Sequence, residues 1–471
     1  MGSVADYKLE DFQTFYNLIN NELTTTTRTR HATNPSTNTP LPAVPVSTSE
    51  DVDRAVAAAQ AAFPAWRDLT QNDRAAYLLR FADAIQANKE GFAKLLGEET
   101  GKPPQSAAVE VWLIEDHIRG TVVHRLTEEV IEDTDEKRFI LRHVPLGVGA
   151  GIIPWNFPMT LGVVKLCSAL LAGNTFIWKP SPYTPNTALK LGELGARIFP
   201  AGVLNVLSGE EDLGPWLTAH PGIAKISFTG SVATGKKVMQ ACAATLKRVT
   251  LELGGNDAAI VYPDVDLATV VPKIVFNALV NSGQVCIAIK RVYVHEQIYD
   301  AFLAAMMAFV QTMKVGPSDD PTTVLGPVQN SMHAIPADKL SFKPDATTKT
   351  DAGFFLPPTI IDNPPDDSQI VADEQFGLIV SLLKWSDEED VLRRVNATLF
   401  GLGGSVWSKD VQRAEKMARR MEAGTVWVNT HLECGANGSY AGHKNSGIGA
   451  ECGLLSIKEW CNLQGVYVRK D

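Results

Sequence analysis

The chain has 471 residues, 45% of them hydrophobic and 20% charged. This is the composition of a folded chain and excludes disorder as the default; the length is too great for one simple core, so two or three domains are expected. The formal net charge of -10 is spread along the chain without a block of Lys and Arg, so neither nucleic acid nor an anionic membrane surface is an expected partner.

At the N-terminus, MGSVADYKLED lacks the apolar segment of a signal peptide, and Asp6 stands where a myristoylation signal needs Ser or Thr. The final VRKD is no peroxisomal or endoplasmic-reticulum address. No run approaches the ~18 apolar residues of a membrane span. The six cysteines (Cys167, Cys242, Cys286, Cys434, Cys452 and Cys461) form neither close-set pairs nor Cys-x-x-Cys. No disulfide scaffold or metal site is expected, a reducing compartment fits, and the cytoplasm follows by elimination.

Residues 24–46, rich in Thr and Pro, predict irregular or edge structure. Thr48 and Asp51 then form a helix start signal, and Val52, Val56, Ala59, Phe63 and Trp66 recur at helical spacing. A second amphipathic helix is predicted through Leu78, Phe81, Ile85, Phe92 and Leu96, and both helices are expected to cover a sheet. From Gly147 to Tyr262 short apolar strands (GAGII, NTFIWKP, VLNVLSG, KISFTGS, VTLELGG, AAIVY) alternate with helical stretches. Such alternation predicts βαβ units on a parallel sheet, with ligands bound where strand ends meet helix starts.

Four motifs fall at those junctions. In IIPWNFP, Asn156 lies in a loop made rigid by two prolines; its amide suits an oxyanion site, although an Asn that only satisfies loop backbone is the plainer role. WKPSP ends a strand with Lys179, placed to bond a nucleotide ribose unless it is a surface lysine. FTGSVATG sets Gly230, Ser231 and Gly235 at a strand-to-helix turn, where backbone N–H groups could meet a phosphate. TLELGGND ends a strand with Glu252, either a general base or a salt-bridged structural carboxylate.

FNALVNSGQVCIAI then places Cys286 after the polar run Asn281, Ser282, Gly283 and Gln284. Most free cysteines pack as small hydrophobes, so this one is core filling unless its surroundings make it a nucleophile. A second alternation follows in KRVYVHE, a helix near Tyr299 to Lys314, FFLPPTII, LIVSLLKW and GTVWVN, and reads as a second α/β domain. Between them Gly326 to Gly353 lacks a clear amphipathic helix and is interrupted by Pro336 and Pro344.

The order PWNFP, KPSP, FTGS, ELGG, NSGQVC, EQFG, GTVWVN resembles the aldehyde dehydrogenase superfamily, from EDVDRAVAAAQAAFPAW to GHKNSGIG. The resemblance implies a Rossmann-like cofactor domain (1–126 and 146–253), an α/β catalytic domain (254–445) and a small β oligomerisation flap (127–145 and 446–471), assembled as a homodimer or homotetramer. It makes Cys286 the nucleophile toward an aldehyde carbonyl, gives Asn156 the oxyanion, and gives Glu252 the activation of water that hydrolyses the resulting thioester. Cofactor contacts for NAD or NADP map onto Ile153, Trp155, Lys179, Ser231, Glu374 and Phe376. Retention of Glu252 favours a carboxylic acid product, since family branches that pass the acyl group to coenzyme A typically lack it. A cysteine protease is set aside because Gln284 lies two places before the cysteine and no downstream His and Asn signature follows.

Several positions depart from the family pattern. KPSP puts Pro182 where many NAD-dependent members have a ribose-binding Glu, which removes repulsion against a 2'-phosphate, so NADP is an expected alternative to NAD. Gly377-Leu378 and SYAG (Ser439 to Gly442) replace the family's Gly-Pro and Pro-Phe-Gly-Gly, and the segment after Gly326 is short. These keep open a weak or inactive member that acts in binding or structure. The expected substrate tunnel (Phe157, Leu161, Val164, Val285, Ile287, Leu432, Cys434 and Tyr440) is mostly apolar and without a cation, which favours an apolar or aromatic aldehyde over a semialdehyde with a second carboxylate.

Overall fold

The computed structural model describes residues 7–331 and 353–470. The expectation of a missing surface helix between Gly326 and Gly353 falls chiefly on residues 332–352, outside the described residues.

Local signals set the first elements. The Thr48 hydroxyl accepts the Asp51 N–H and the Asp51 carboxylate accepts the Thr48 N–H at 2.9 Å, a reciprocal cap that starts helix Ser49–Asp68 and buries Val52, Val56, Ala59 and Trp66. The Thr/Pro-rich stretch before it is an antiparallel hairpin, Thr29–Asn34 with Thr39–Pro45. The single helix expected through Leu78 and Leu96 is two, Gln71–Ala87 and Lys89–Thr100. Asn88 breaks it: its side-chain amide donates to the Tyr7 and Ala84 carbonyls while its oxygen accepts the Leu9 N–H, and an Asn that bonds backbone this way competes with the helix.

Among the described residues the strands outside that hairpin form two large sheets and a small one. The larger has the order Gly447–Ile448, Arg248–Glu252, Lys225–Thr229, Val148–Ile152, Thr175–Lys179, Leu204–Val206, Asn17–Ile19, Glu22–Thr24. Its five central strands are parallel. From Val148–Ile152 the chain builds outward one way through Thr175–Lys179 and Leu204–Val206, then returns to the other side with Lys225–Thr229. The order therefore reverses between Val148–Ile152 and Lys225–Thr229, and in open α/β sheets the crevice beyond the carboxyl ends at such a reversal is where ligands bind. PWNFP and FTGS emerge from these two strands.

The second sheet, Thr359–Asp362, Ile379–Trp385, Ile289–His295, Asp257–Val261, Gly403–Trp407, Thr425–Val428, is parallel throughout. Gly403–Trp407 was not among the predicted strands, because GGSVW opens with two glycines. Cys286 lies three residues before strand Ile289–His295 and so faces the carboxyl edge of the first sheet. In the small sheet Lys137–Pro145 is flanked by Glu129–Asp133 and Cys461–Arg469, all antiparallel. No helix among the described residues is long and apolar enough to cross a membrane.

Candidate active site

Asn156 is held from below. Lys102 donates to the Asn156 carbonyl and pairs with Glu110 at 2.8 Å, both side chains being buried. Glu110 Oε1 accepts the N–H groups of Met159 and Thr160 at 3.2 Å each. These are unsatisfied donors in the first turn of helix Pro158–Ala172, so one carboxylate fixes both the helix start and the loop before it. The Asn156 amide nitrogen donates to the Gln284 carbonyl at 3.0 Å, which ties this loop to the cysteine loop and leaves its second hydrogen without an acceptor among the described residues.

The polar run before the cysteine builds that second loop. Asn281, Ser282 and Gly283 have φ of 53°, 58° and 73°, three consecutive left-handed residues of which two are not glycine. Such strain persists only where surrounding bonds over-determine it. Here the Ser282 hydroxyl donates to the Gly326 carbonyl at 2.8 Å, the Asn281 amide to the Asn156 and Gln284 carbonyls at 3.2 Å, and Lys290 Nζ to the Gly283 carbonyl at 2.6 Å. A Cβ at Gly283 would strike the Gly377 carbonyl, and one at Gly255 the Cys286 carbonyl. Gly255, the second glycine after Glu252, is therefore what admits the cysteine loop, while a Cβ at Gly254 would strike the Glu374 carboxylate.

Cys286 Sγ donates to Glu252 Oε1 at 3.2 Å. Burial, then the Glu451 carboxylate behind it, pushes Glu252 up to about 7, against the opposing pull of Lys165. Burial, then the Glu252 charge, pushes the Cys286 thiol well above its ordinary value. The resting pair is thus a thiol on a carboxylate of raised basicity. Behind it Lys165 donates to the Thr229 hydroxyl at 2.7 Å and pairs with Glu451, which also accepts from Ser227 at 3.0 Å.

Two cavities meet at Cys286. A cleft of about 700 Å³ is lined by Trp155, Asn156, Gly230, Ser231, Glu374 and Phe376. The Trp155 and Phe376 rings pack edge to face at 5.4 Å, and Ser231 caps helix Val232–Ala243. A tunnel of about 900 Å³ is lined by Leu161, Val164, Ile287, Cys434 and Tyr440, together with Glu252 and Cys286.

Other expected positions lie elsewhere. Ile153 is packed in the hydrophobic core, and Lys179 is buried at its strand end with Nζ on the Pro180 carbonyl at 3.2 Å; neither lines the cleft. Phe157, Val285 and Leu432 do not line the tunnel. The Phe157 ring lies against the Lys102 ammonium at 4.3 Å, Val285 is buried, and Leu432 sits in a loop with φ of 61°. Adjacent residues on a loop face different ways, so a place beside a motif does not assign a side chain to the cavity.

Conversely, the motifs missed Lys165, Glu451, Asp116, His117, Thr160 and Cys452. All but Lys165 line the tunnel. Lys165 had a signal: it is the one charge in PMTLGVVKLCSALLA, a helix apolar almost all round, and such a charge needs a buried partner. Thr160 had one too, its place at the start of the helix that follows Asn156; Asp116, His117, Glu451 and Cys452 come from segments far apart in the chain and had none.

These two sheets and this loop arrangement belong to an oxidoreductase class, and the comparisons identify it. The sequence model of the Aldehyde dehydrogenase family matches residues 23–466, and the chain belongs to that family. It is 40% identical over 472 residues to the aldehyde dehydrogenase LUC3 of a Fusarium species, covering 98% of this chain and 100% of that protein. The NAD+ complex of an aldehyde dehydrogenase from Bacillus cereus superposes with a TM-score of 0.92 at 30% identity, over 97% of each chain. An NADP-dependent enzyme of E. coli superposes with a TM-score of 0.93 at 31% identity, over 98% of this chain and 100% of that one.

Proposed function

We propose that the protein oxidises an apolar or aromatic aldehyde to its carboxylic acid through a covalent adduct on Cys286, with NAD or NADP as the oxidant. The observation that carries this reading is that the Cys286 thiol, 3.2 Å from Glu252, lines both the tunnel and the cleft. An aldehyde can reach the sulfur from one side and a nicotinamide from the other.

Fit of the cofactor rests on the cleft itself: it opens at the reversal of the strand order, beside the amino end of helix Val232–Ala243, with aromatic and carboxylate groups in its wall. Ser231 and that helix end would take a phosphate, while Trp155, Glu374 and Phe376 would hold the rest. Pro182 sets no carboxylate at the turn after Lys179, and Arg30 donates to the Pro182 carbonyl. Positive charge there suits a 2'-phosphate, which supports acceptance of NADP beside NAD.

Glu252 takes the thiol proton, and the thiolate attacks the carbonyl carbon. The oxyanion is met by the free hydrogen of the Asn156 amide and by the Cys286 backbone N–H, which donates to no other group among the described residues. A nicotinamide held in the cleft would supply the acceptor for the hydride whose loss leaves a thioester on Cys286. Glu252 then releases the thiol proton to solvent and, again ionised, removes a proton from water, which attacks the thioester and releases the acid; Glu252 returns that proton to the departing thiolate.

The division into cofactor domain (1–126, 146–253), catalytic domain (254–445) and flap (127–145, 446–471) is supported by the separate sheets, except that Gly447–Ile448, on the flap side of the boundary, pairs with Arg248–Glu252 in the first sheet. Exposed Val130, Ile131, Leu463, Tyr467 and Val468 on the flap support a homodimer or homotetramer. Six free thiols suit a reducing compartment such as the cytoplasm. The test is release of reduced nicotinamide from purified protein given a panel of aldehydes with each cofactor. Turnover by the wild type and none by Cys286→Ala is expected; equal turnover by both would overturn the proposal.

A further inference from the structure

We propose that the tunnel selects an aldehyde whose apolar body carries a hydroxyl, and that His117 and Thr160 bind that hydroxyl; the inference rests on the aldehyde oxidation proposed above. The two residues stand on neighbouring helices, Pro104–Thr121 and Pro158–Ala172, and both line the tunnel that ends at Cys286.

In a wall that is otherwise mainly apolar, both have hydrogen-bonding capacity to spare. The His117 ring shares one hydrogen bond, Nε2 with the Thr121 hydroxyl at 3.2 Å, and makes no other among the described residues. The Thr160 hydroxyl is buried without any partner among them. Because Thr160 nevertheless lines the tunnel, a χ1 rotation to another staggered position would bring that hydroxyl to the tunnel surface. An unmade hydrogen bond in an apolar wall is costly, so a ligand that completes both is favoured.

The chemistry of the wall narrows the ligand to a hydroxyl. Burial, then the nearby His124, pushes His117 down to about 4, so the ring is neutral near pH 7. With Nε2 engaged, Nδ1 is a donor if Nε2 accepts from Thr121, and an acceptor if Nε2 donates. A hydroxyl serves either tautomer. A carboxylate serves only the first and would meet Asp116, Glu252 and Glu451 in a lining that contains no Lys or Arg. An ammonium serves only the second. Thr160 stands in the first turn of helix Pro158–Ala172, just after the Asn156 loop, and lines the tunnel that ends at Cys286.

The test compares kcat/KM for 3- or 4-hydroxybenzaldehyde with that for benzaldehyde, as a ratio within each protein preparation. The better hydroxylated substrate should be favoured about tenfold by the wild type, the scale of one net hydrogen bond. That ratio should fall toward one in His117→Phe, persist in His117→Gln, which keeps donor and acceptor, and drop in Thr160→Val, which keeps the shape and so carries the test if His117→Phe does not fold. No preference in the wild type, or a preference untouched by His117→Phe and Thr160→Val, overturns the inference while leaving aldehyde oxidation standing. A wild type that oxidises none of the three overturns the proposed function as well.

Discussion

Glu110 is the perturbation that tests how the oxyanion site is built. Glu110→Ala removes the partner of buried Lys102 at 2.8 Å and the acceptor of the Met159 and Thr160 N–H groups. Leaving one half of a buried pair costs about 3 to 5 kcal/mol. On an aldehyde without a hydroxyl the residue acts through Asn156, whose carbonyl Lys102 holds, so its loss should not exceed that of the amide itself. Losing one oxyanion donor costs roughly 10² to 10³ in kcat, and a displaced loop costs up to a similar factor. Thermal unfolding should therefore show a large drop for Glu110→Ala, with kcat/KM lowered at most as far as in Asn156→Ala. The double variant should be scarcely worse in kcat/KM than Asn156→Ala alone, because the two act on one feature. Fully additive losses, or unchanged kcat/KM in a folded Glu110→Ala, would refute the reasoning.

Other substitutions address the tunnel, the cofactor and the base. Val164, 4% exposed and on the tunnel wall, should on change to Trp reduce kcat/KM for an aromatic aldehyde far more than for acetaldehyde; equal losses with a lowered Tm, from about 1 to 3 kcal/mol of overpacking, would make it ordinary core. Pro182→Glu should move preference toward NAD by repelling a 2'-phosphate, and an unchanged NADP/NAD ratio of kcat/KM would place discrimination elsewhere. Because burial and Glu451 raise Glu252 to about 7, the ionised base is lost as pH falls through about 7, and turnover should decline on that acid limb. Glu451→Gln removes a charge that raises Glu252, so the limb should move to lower pH; a limb that stays in place would show that another group controls it.

Much of this site was legible because strand ends announce themselves. Glu252 and the FTGS turn close apolar strands that run straight into glycines, so their place at the carboxyl edge followed from local pattern. Cys286 was legible only through the company it keeps, since its left-handed loop is stabilised by Gly326, Lys290 and Asn156, partners that no local rule supplies. Asn88 broke a predicted helix by bonding backbone as far off as Tyr7, and Phe157 left the tunnel for the Lys102 ammonium. His117 and Glu451 join the tunnel from segments more than 300 residues apart. What was missed is thus tertiary: which side of a loop faces inward, and which distant charges face each other.

In the proposed reaction Cys286 carries an acyl group which Glu252 releases. The most direct measurement mixes Glu252→Gln protein with an aromatic aldehyde and NAD or NADP, quenches with acid over a time course long enough for the thiol to ionise without Glu252, and maps the peptides by mass. An acyl mass is expected on the peptide holding Cys286, persisting far longer than in the wild type, with one reduced nicotinamide formed per site. Reduced nicotinamide formed without that adduct, or an adduct on any other residue, would contradict it.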